Sequence, residues 1–206
     1  MAKTDPDHIS KFHDYGIYIP KRMIYMSSVD VSTEHGESGV DSAMAEYMVK
    51  NLAILEGMNS EDITILMNNV GGDEYHGFAI YDAIQACKSQ VTIKVYGHAM
   101  SMGSIILQAA DHRIMAPTSR QMIHYGTAPG SGSEQHSKTA KKWQEESDKL
   151  DLWMENMYMA KIREKHPDFN LGKLRRMLDH DTFMTAKESI DFGLADSILD
   201  NEAENE

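Results

Sequence analysis

The densest concentration of small and reactive residues in the chain is Gly97-His98-Ala99-Met100-Ser101-Met102-Gly103. It lies between a strand-like run, Val91 to Tyr96, and an apolar run from Met102 to Ala110 that reads as a short helix. A serine held on a tight strand-to-helix turn needs small neighbours two residues to either side, and Ala99 and Gly103 supply them. The pattern A-x-S-x-G is a relative of the nucleophile elbow G-x-S-x-G. Unpaired amides and the positive dipole end of the helix that begins there suit a developing oxyanion. A helix N-cap accounts for a serine at this place just as simply.

A serine nucleophile needs a base, and the chain has ten histidines. His124 ends the apolar strand Gln121-Met122-Ile123 just before Tyr125-Gly126, where a side chain can line a cleft. His98, three residues before Ser101, is the competing candidate, and His112 lies just past the apolar helix. The other seven sit in polar contexts, and no pair has H-E-x-x-H or similar spacing, so neither a metal site nor a cofactor is expected. The carboxylate that would orient the base is Asp181, in His180-Asp181-Thr182-Phe183, with Asp179 two residues away as an alternative. Asp196 reads as the cap of a turn. The strand end Asn68-Asn69-Val70-Gly71-Gly72 carries a glycine pair whose amides could form half of an oxyanion hole, or simply a turn. The order Ser101, His124, Asp181 is not that of the α/β-hydrolases, nor of the chymotrypsin or subtilisin types.

These residues must be positioned by a fold, and the sequence alternates strands with helices. Strands are predicted at Ile24–Met26, Asp62–Asn69, Val91–Tyr96, Arg113–Ala116 and Gln121–His124. Helices are predicted over Val40–Glu56, Gly77–Cys87, Met102–Ala110 and Lys138–Lys165. Such alternation argues for an α/β class with a mainly parallel sheet, whose sites lie at strand ends. Residues 1–22 read as an irregular arm, 29–40 as a polar loop, 126–137 as a glycine- and serine-containing ribbon, and 200–206 as an acidic tail. Trp143, Leu150, Trp153, Met154 and Met157 form a partial stripe on the long helix, which calls for a partner to cover it.

The 206 residues suit one domain. Against 20 lysines and arginines stand 32 acidic residues, a net charge of −12, and an acidic surface repels phosphate backbones, so no nucleic-acid partner is expected. Met1 to Pro20 contains no apolar stretch long enough for a secretion signal or membrane span, which makes a cytoplasmic location without a membrane partner the expectation. Cys87 is the single cysteine, so no intrachain disulfide can form, and it reads as a small buried apolar residue. The sixteen methionines read as adaptable core filler.

Taken together, the motifs resemble the ClpP family of self-compartmentalising serine peptidases. The family's S-P-G-G strand end corresponds to Asn69-Val70-Gly71-Gly72, and its G-x-A-x-S-M-G segment is matched in full by Gly97 to Gly103. Its P-N-S-R-x-M-I-H segment corresponds to Pro117-Thr118-Ser119-Arg120-Gln121-Met122-Ile123-His124, and its C-terminal D-x-F-x-[ST]-A-x-E segment to Asp181 through Glu188. The four motifs occur in order and the resemblance covers residues 22–199. It implies a ClpP/crotonase-type spiral of ββα units over 23–199, with a protruding handle helix at about 126–165. Ser101 would be the nucleophile, His124 the base, Asp181 its orienter, and the amides of Gly71 or Gly72 with that of Met102 the oxyanion hole. It further implies homo-oligomeric heptameric rings, stacked as a tetradecamer, that enclose peptide or unfolded-protein substrates, and an AAA+ unfoldase as partner. The sequence departs from the family at Val70, at Tyr125-Gly126 where Gln-Pro is usual, in the longer loop 29–40, and in the N-terminal arm, which has no match to the family's axial loop. The other readings are a catalytically silent ring subunit and a crotonase-type acyl-CoA enzyme.

Overall fold

The computed structural model describes residues 6–27, 39–126 and 137–200. In chain order the elements are α1 (Pro6–Tyr15), β1 (Ile17–Tyr18), β2 (Met23–Ser27), α2 (Ser42–Met58), β3 (Ile63–Asn69), α3 (Glu74–Gln85), β4 (Val91–Met100) and α4 (Met102–Leu107). These are followed by β5 (His112–Met115), β6 (Arg120–Ile123), α5 (Ser137–Lys165), α6 (Leu171–Leu178), β7 (Thr182–Thr185), α7 (Ala186–Phe192) and β8 (Ser197–Ile198).

The class is α/β. One sheet runs β1-β2-β3-β4-β5-β8 and is parallel except for the β1–β2 pair. Ile63, Ile65, Met67 and Asn69 are buried while the residues between them are half-buried, the period-2 pattern of a strand packed between layers. The helices start where the sequence offers caps. Asp41 accepts the Met44 amide at 2.8 Å, Asp73 accepts that of His76 at 3.0 Å, and Thr185 with Glu188 forms a capping box on α7. Met26, Met48, Met67, Met102 and Met115 are all buried in the core beside the isoleucines of β3 and β4.

The feature that builds the site is the length of β4, which changes partner along its course. Thr92 to Val95 pair in parallel with β5, and His98 to Met100 pair with Arg120 to Met122 of β6. Between the two halves Gly97 has φ +76°, and a Cβ on it would stand 2.4 Å from Asn68 Oδ1, so only glycine fits the bend. β6 then pairs antiparallel with β7, Ile123 opposite Thr182.

Several sequence expectations need correction. Residues 6–15 are helical where an irregular arm is predicted: Phe12 packs edge-on against Tyr18, and Asn51 of α2 donates to the Tyr15 carbonyl at 2.7 Å. Tyr47, which apolar spacing groups with Met44, Met48, Leu52 and Leu55 on one face of α2, is exposed beside Tyr15. α3 begins at Glu74, before the predicted Gly77, because Asp73 caps it. Asp196 is not a turn cap: its carboxylate takes the guanidinium of buried Arg113 at 2.5 and 3.1 Å and the Arg113 amide at 2.7 Å. Most of the polar loop 29–40, most of the ribbon 126–137 and all but Asp200 of the acidic tail lie outside the described residues.

Candidate active site

β4 ends at Met100 and α4 begins at Met102, so Ser101 carries the whole change of direction at φ 51°, ψ −123°. A left-handed conformation costs a non-glycine residue about 1–3 kcal/mol and persists only where its surroundings over-determine it. Here they do. The Ser101 amide donates to the Met122 carbonyl at 2.9 Å, and its carbonyl accepts from Ser104 at 2.9 Å and Ile105 at 3.3 Å. Gly103 leaves room for the end of β3, since a Cβ there would stand 2.8 Å from Asn69 Oδ1 and 2.9 Å from the Asn69 carbonyl. Ser101 occupies the N-cap position of α4, yet its hydroxyl makes no capping hydrogen bond. It meets His124 Nε2 at 2.8 Å instead.

The strand registers explain why these residues converge. In the parallel β4–β6 pair Met100 sits beside Met122, so the residues just past both strand ends, Ser101 and His124, come out on the same edge. In the antiparallel β6–β7 pair Ile123 faces Thr182, so the next position brings His124 to Asp181. His124 Nδ1 lies 3.0 Å from Asp181 Oδ1. An ionised carboxylate can only accept, so Nδ1 carries the proton and Nε2 of the neutral ring is left to accept from the serine hydroxyl. The three side chains form one directional relay whose Asp181 end is 61 % exposed.

Of the alternatives, Asp179 is the C-cap of α6 and His98 lies back along β4. The structure brings neither to the serine–histidine contact. The Gly71 amide donates to Asn69 Oδ1 at 2.9 Å, which removes it from the candidate anion donors. Val40 bridges to the groups flanking Gly72, through Val40 amide to Gly71 carbonyl at 2.6 Å and Asp73 amide to Val40 carbonyl at 2.7 Å, so the Gly72 amide stays outside that bridge. The Met102 amide opens α4 and has no intrahelical acceptor. A Cβ on Gly71 would stand 2.9 Å from the Met102 nitrogen, which places the two backbones side by side.

A cleft of about 390 Å³ opens over the serine. Residues 72–75 line it together with Met102, Ile105, His124, Gly126 and Met154. Burial pushes the Glu74 carboxyl above its usual range, with Asp151 and Asp73 adding to the effect. Its Oε1 fills the space a side chain at 126 would need, only 1.9 Å from the position of a Gly126 Cβ. Among the described residues no group of three or more His, Cys, Asp or Glu is placed to hold a metal ion, and no helix is long and apolar enough to cross a membrane.

Sequence reasoning missed the acidic lining of the cleft and a part-buried network at Tyr125, the residue after His124. In that network Tyr125 donates to Glu155, and Glu155 takes Arg175 in a two-bonded fork. Only the departure at Tyr125-Gly126 hinted at it, since residues 125, 155 and 175 share no local spacing.

The Clp protease family model matches residues 23–202. The ATP-dependent Clp protease proteolytic subunit of Deinococcus radiodurans is 37% identical over 176 residues, covering 81% of this chain and 79% of that protein.

Proposed function

Since the chain belongs to the Clp protease family and is a serine-type peptidase, we propose that it is an endopeptidase with Ser101 as nucleophile, His124 as general base and acid, and Asp181 as orienter. The observation that carries this reading is the unbroken relay from Ser101 Oγ through His124 Nε2 at 2.8 Å and Nδ1 to Asp181 at 3.0 Å. His124 takes the hydroxyl proton as Oγ attacks the peptide carbonyl, and the imidazolium that forms is stabilised by the Asp181 carboxylate. The amides of Gly72 and Met102 receive the oxyanion. His124 then passes its proton to the leaving amine, and water releases the acyl group by the same steps in reverse role. The protein works in the cytoplasm as homo-oligomeric heptameric rings, stacked as a tetradecamer around a chamber. Enclosure restricts substrates to peptides and unfolded segments delivered by an ATP-driven AAA+ unfoldase, in keeping with the ATP dependence named in the relative.

The test is intact mass after exposure to a fluorophosphonate, which reports an activated serine without a chosen substrate. One adduct on the wild type and none on Ser101→Ala is the expected result. An assembled wild type that takes no adduct would overturn the reading and leave a silent ring subunit, while binding of coenzyme A would point to acyl-CoA chemistry.

A further inference from the structure

The residue after His124 is bound to helix α6 by two separate routes. Along the backbone, the Tyr125 amide donates to the carbonyl of Leu178, the last residue of α6, at 2.8 Å. Through side chains, the Tyr125 phenol donates to Glu155 Oε1 on α5. Glu155 in turn accepts Arg175 of α6 through Nε on Oε1 and Nη2 on Oε2, each at 2.9 Å. The bonds close a ring from Tyr125 to Leu178, up α6 to Arg175, across to Glu155 and back to Tyr125. Glu155 is 4 % exposed, and a carboxylate so buried is stable only when a cation and further donors satisfy it. The Arg175 hydrogen bonds hold its carboxyl below the usual range against the effect of burial. Burial and then Glu155 hold the Tyr125 phenol protonated, hence a donor.

This ring and the β6–β7 ladder both adjoin the His124–Asp181 pair along the chain. On the ladder side Ile123 pairs with Thr182, whose hydroxyl donates to Met177 of α6 at 2.7 Å. On the ring side Tyr125 is the residue after His124, and its backbone partner Leu178 lies three residues before Asp181. Since the Asp181 side chain is mostly solvent-exposed, its placement depends on the backbone that carries it. That backbone is the three residues after Leu178.

We propose that Tyr125, Glu155 and Arg175 form a positioning unit that sets the separation of His124 from Asp181 and thereby of His124 from Ser101. The proposal rests on the catalytic reading of those three residues. None of the three lines the cleft over Ser101. It fixes where the segments carrying the base and its orienter stand, and small displacements of reacting groups are costly in rate.

Tyr125→Phe tests it, because the change removes one hydroxyl and leaves the ring volume in place. Fluorophosphonate inactivation of the full chain is measured over a range of reagent concentrations, which separates the maximal rate from the half-saturating concentration. Thermal unfolding is followed on the same samples. The expected result is a maximal rate reduced roughly tenfold at unchanged half-saturation. Arg175→Met produces a similar loss, and the double variant falls little further, as for residues that act as one unit. A network that only stabilised the fold would lower the melting temperature of Tyr125→Phe and leave its maximal rate within twofold of wild type, which overturns the proposal. Fully additive losses in the double variant overturn it as well. Should wild type itself take no Ser101-dependent adduct, the catalytic reading fails and the positioning role with it. A wild type that labels normally beside a Tyr125→Phe that labels equally fast defeats the positioning role alone.

Discussion

Gly71 lies against Ser101 so closely that a Cβ on it would stand 2.6 Å from the serine's own Cβ. Its φ of +100° adds a second reason for glycine, since L side chains rarely adopt that conformation. The glycine pair ending β3 and the elbow ending β4 are therefore one packed unit.

Gly71→Ala is expected to force the two backbones apart and displace the Gly72 and Met102 amides from a common focus. Removing one oxyanion donor typically costs about 10²–10³-fold in rate. Fluorophosphonate labelling should slow by at least about 10²-fold, while circular dichroism stays that of the folded protein. Labelling at the wild-type rate would remove the amide pair from the mechanism.

Asp181→Asn keeps the shape of the proposed orienting group and reverses its hydrogen-bonding preference. An amide can donate to His124 Nδ1, which favours the tautomer with the proton on Nε2, where it cannot accept from Ser101. Turnover of a fluorogenic peptide should fall on the order of 10³-fold or more, with the sedimentation profile unchanged. A loss below tenfold would mean that solvent, which reaches this exposed carboxylate, orients the ring unaided.

Much of the candidate site was legible because it is written in consecutive residues. Ser101 with Ala99 and Gly103, the strand ending at His124, and the strand beginning after Asp181 are local patterns, and the two strand registers bring them together. The core strands β3 and β4 were legible for the same reason, being runs rich in β-branched residues, although β4 continues past Gly97 to Met100 through its pairing with β6. What sequence concealed depends on partners distant in the chain. Asp196 looked like a turn residue because its partner Arg113 is 83 positions away. The helix at Pro6–Tyr15 could not be read from its own polar residues, since Tyr18, Tyr25 and Asn51 supply what it packs on and bonds to. The acidic lining at Glu74 showed no signal, because it lines the cleft only once Gly126 has left space for it.

Cys87 is expected to be chemically quiet. Burial, followed by the nearby Glu56 and Asp111, pushes its thiol up to about 11, and its Sγ donates to the Ala83 carbonyl at 3.3 Å. Only the thiolate attacks alkylating reagents, so raising the thiol from the usual 9.0 to about 11 lowers the reactive fraction at neutral pH on the order of a hundredfold. Iodoacetamide should modify the native protein about a hundredfold more slowly than the urea-unfolded chain. Comparable rates in the two states would contradict this environment, and would also cast Cys87 as a second nucleophile to be blocked before labelling Ser101.

The Arg113–Asp196 pair fixes the sign of one pH dependence. Burial alone would push the Asp196 carboxyl up, but hydrogen bonds from the Arg113 guanidinium and amide, together with its charge, outweigh burial and hold it below the usual 3.8. A carboxyl depressed in the folded state binds its proton more readily when unfolded. Its contribution to stability is therefore complete well above pH 3.8 and is lost as pH falls through the lower, folded value. Asp196→Asn leaves the buried Arg113 guanidinium short of its carboxylate. Because Asp196 is partly solvated, the cost at neutral pH is about 1–3 kcal/mol, less than for a fully buried pair. The melting-temperature gap between wild type and Asp196→Asn should be constant from pH 7 down to about 5, then narrow below 3.8 as the wild type gains the proton the variant never needed. A gap that widens on acidification would mean that Asp196 is held protonated in the fold and that Arg113 is satisfied by Gln108 and the Gly193 carbonyl alone.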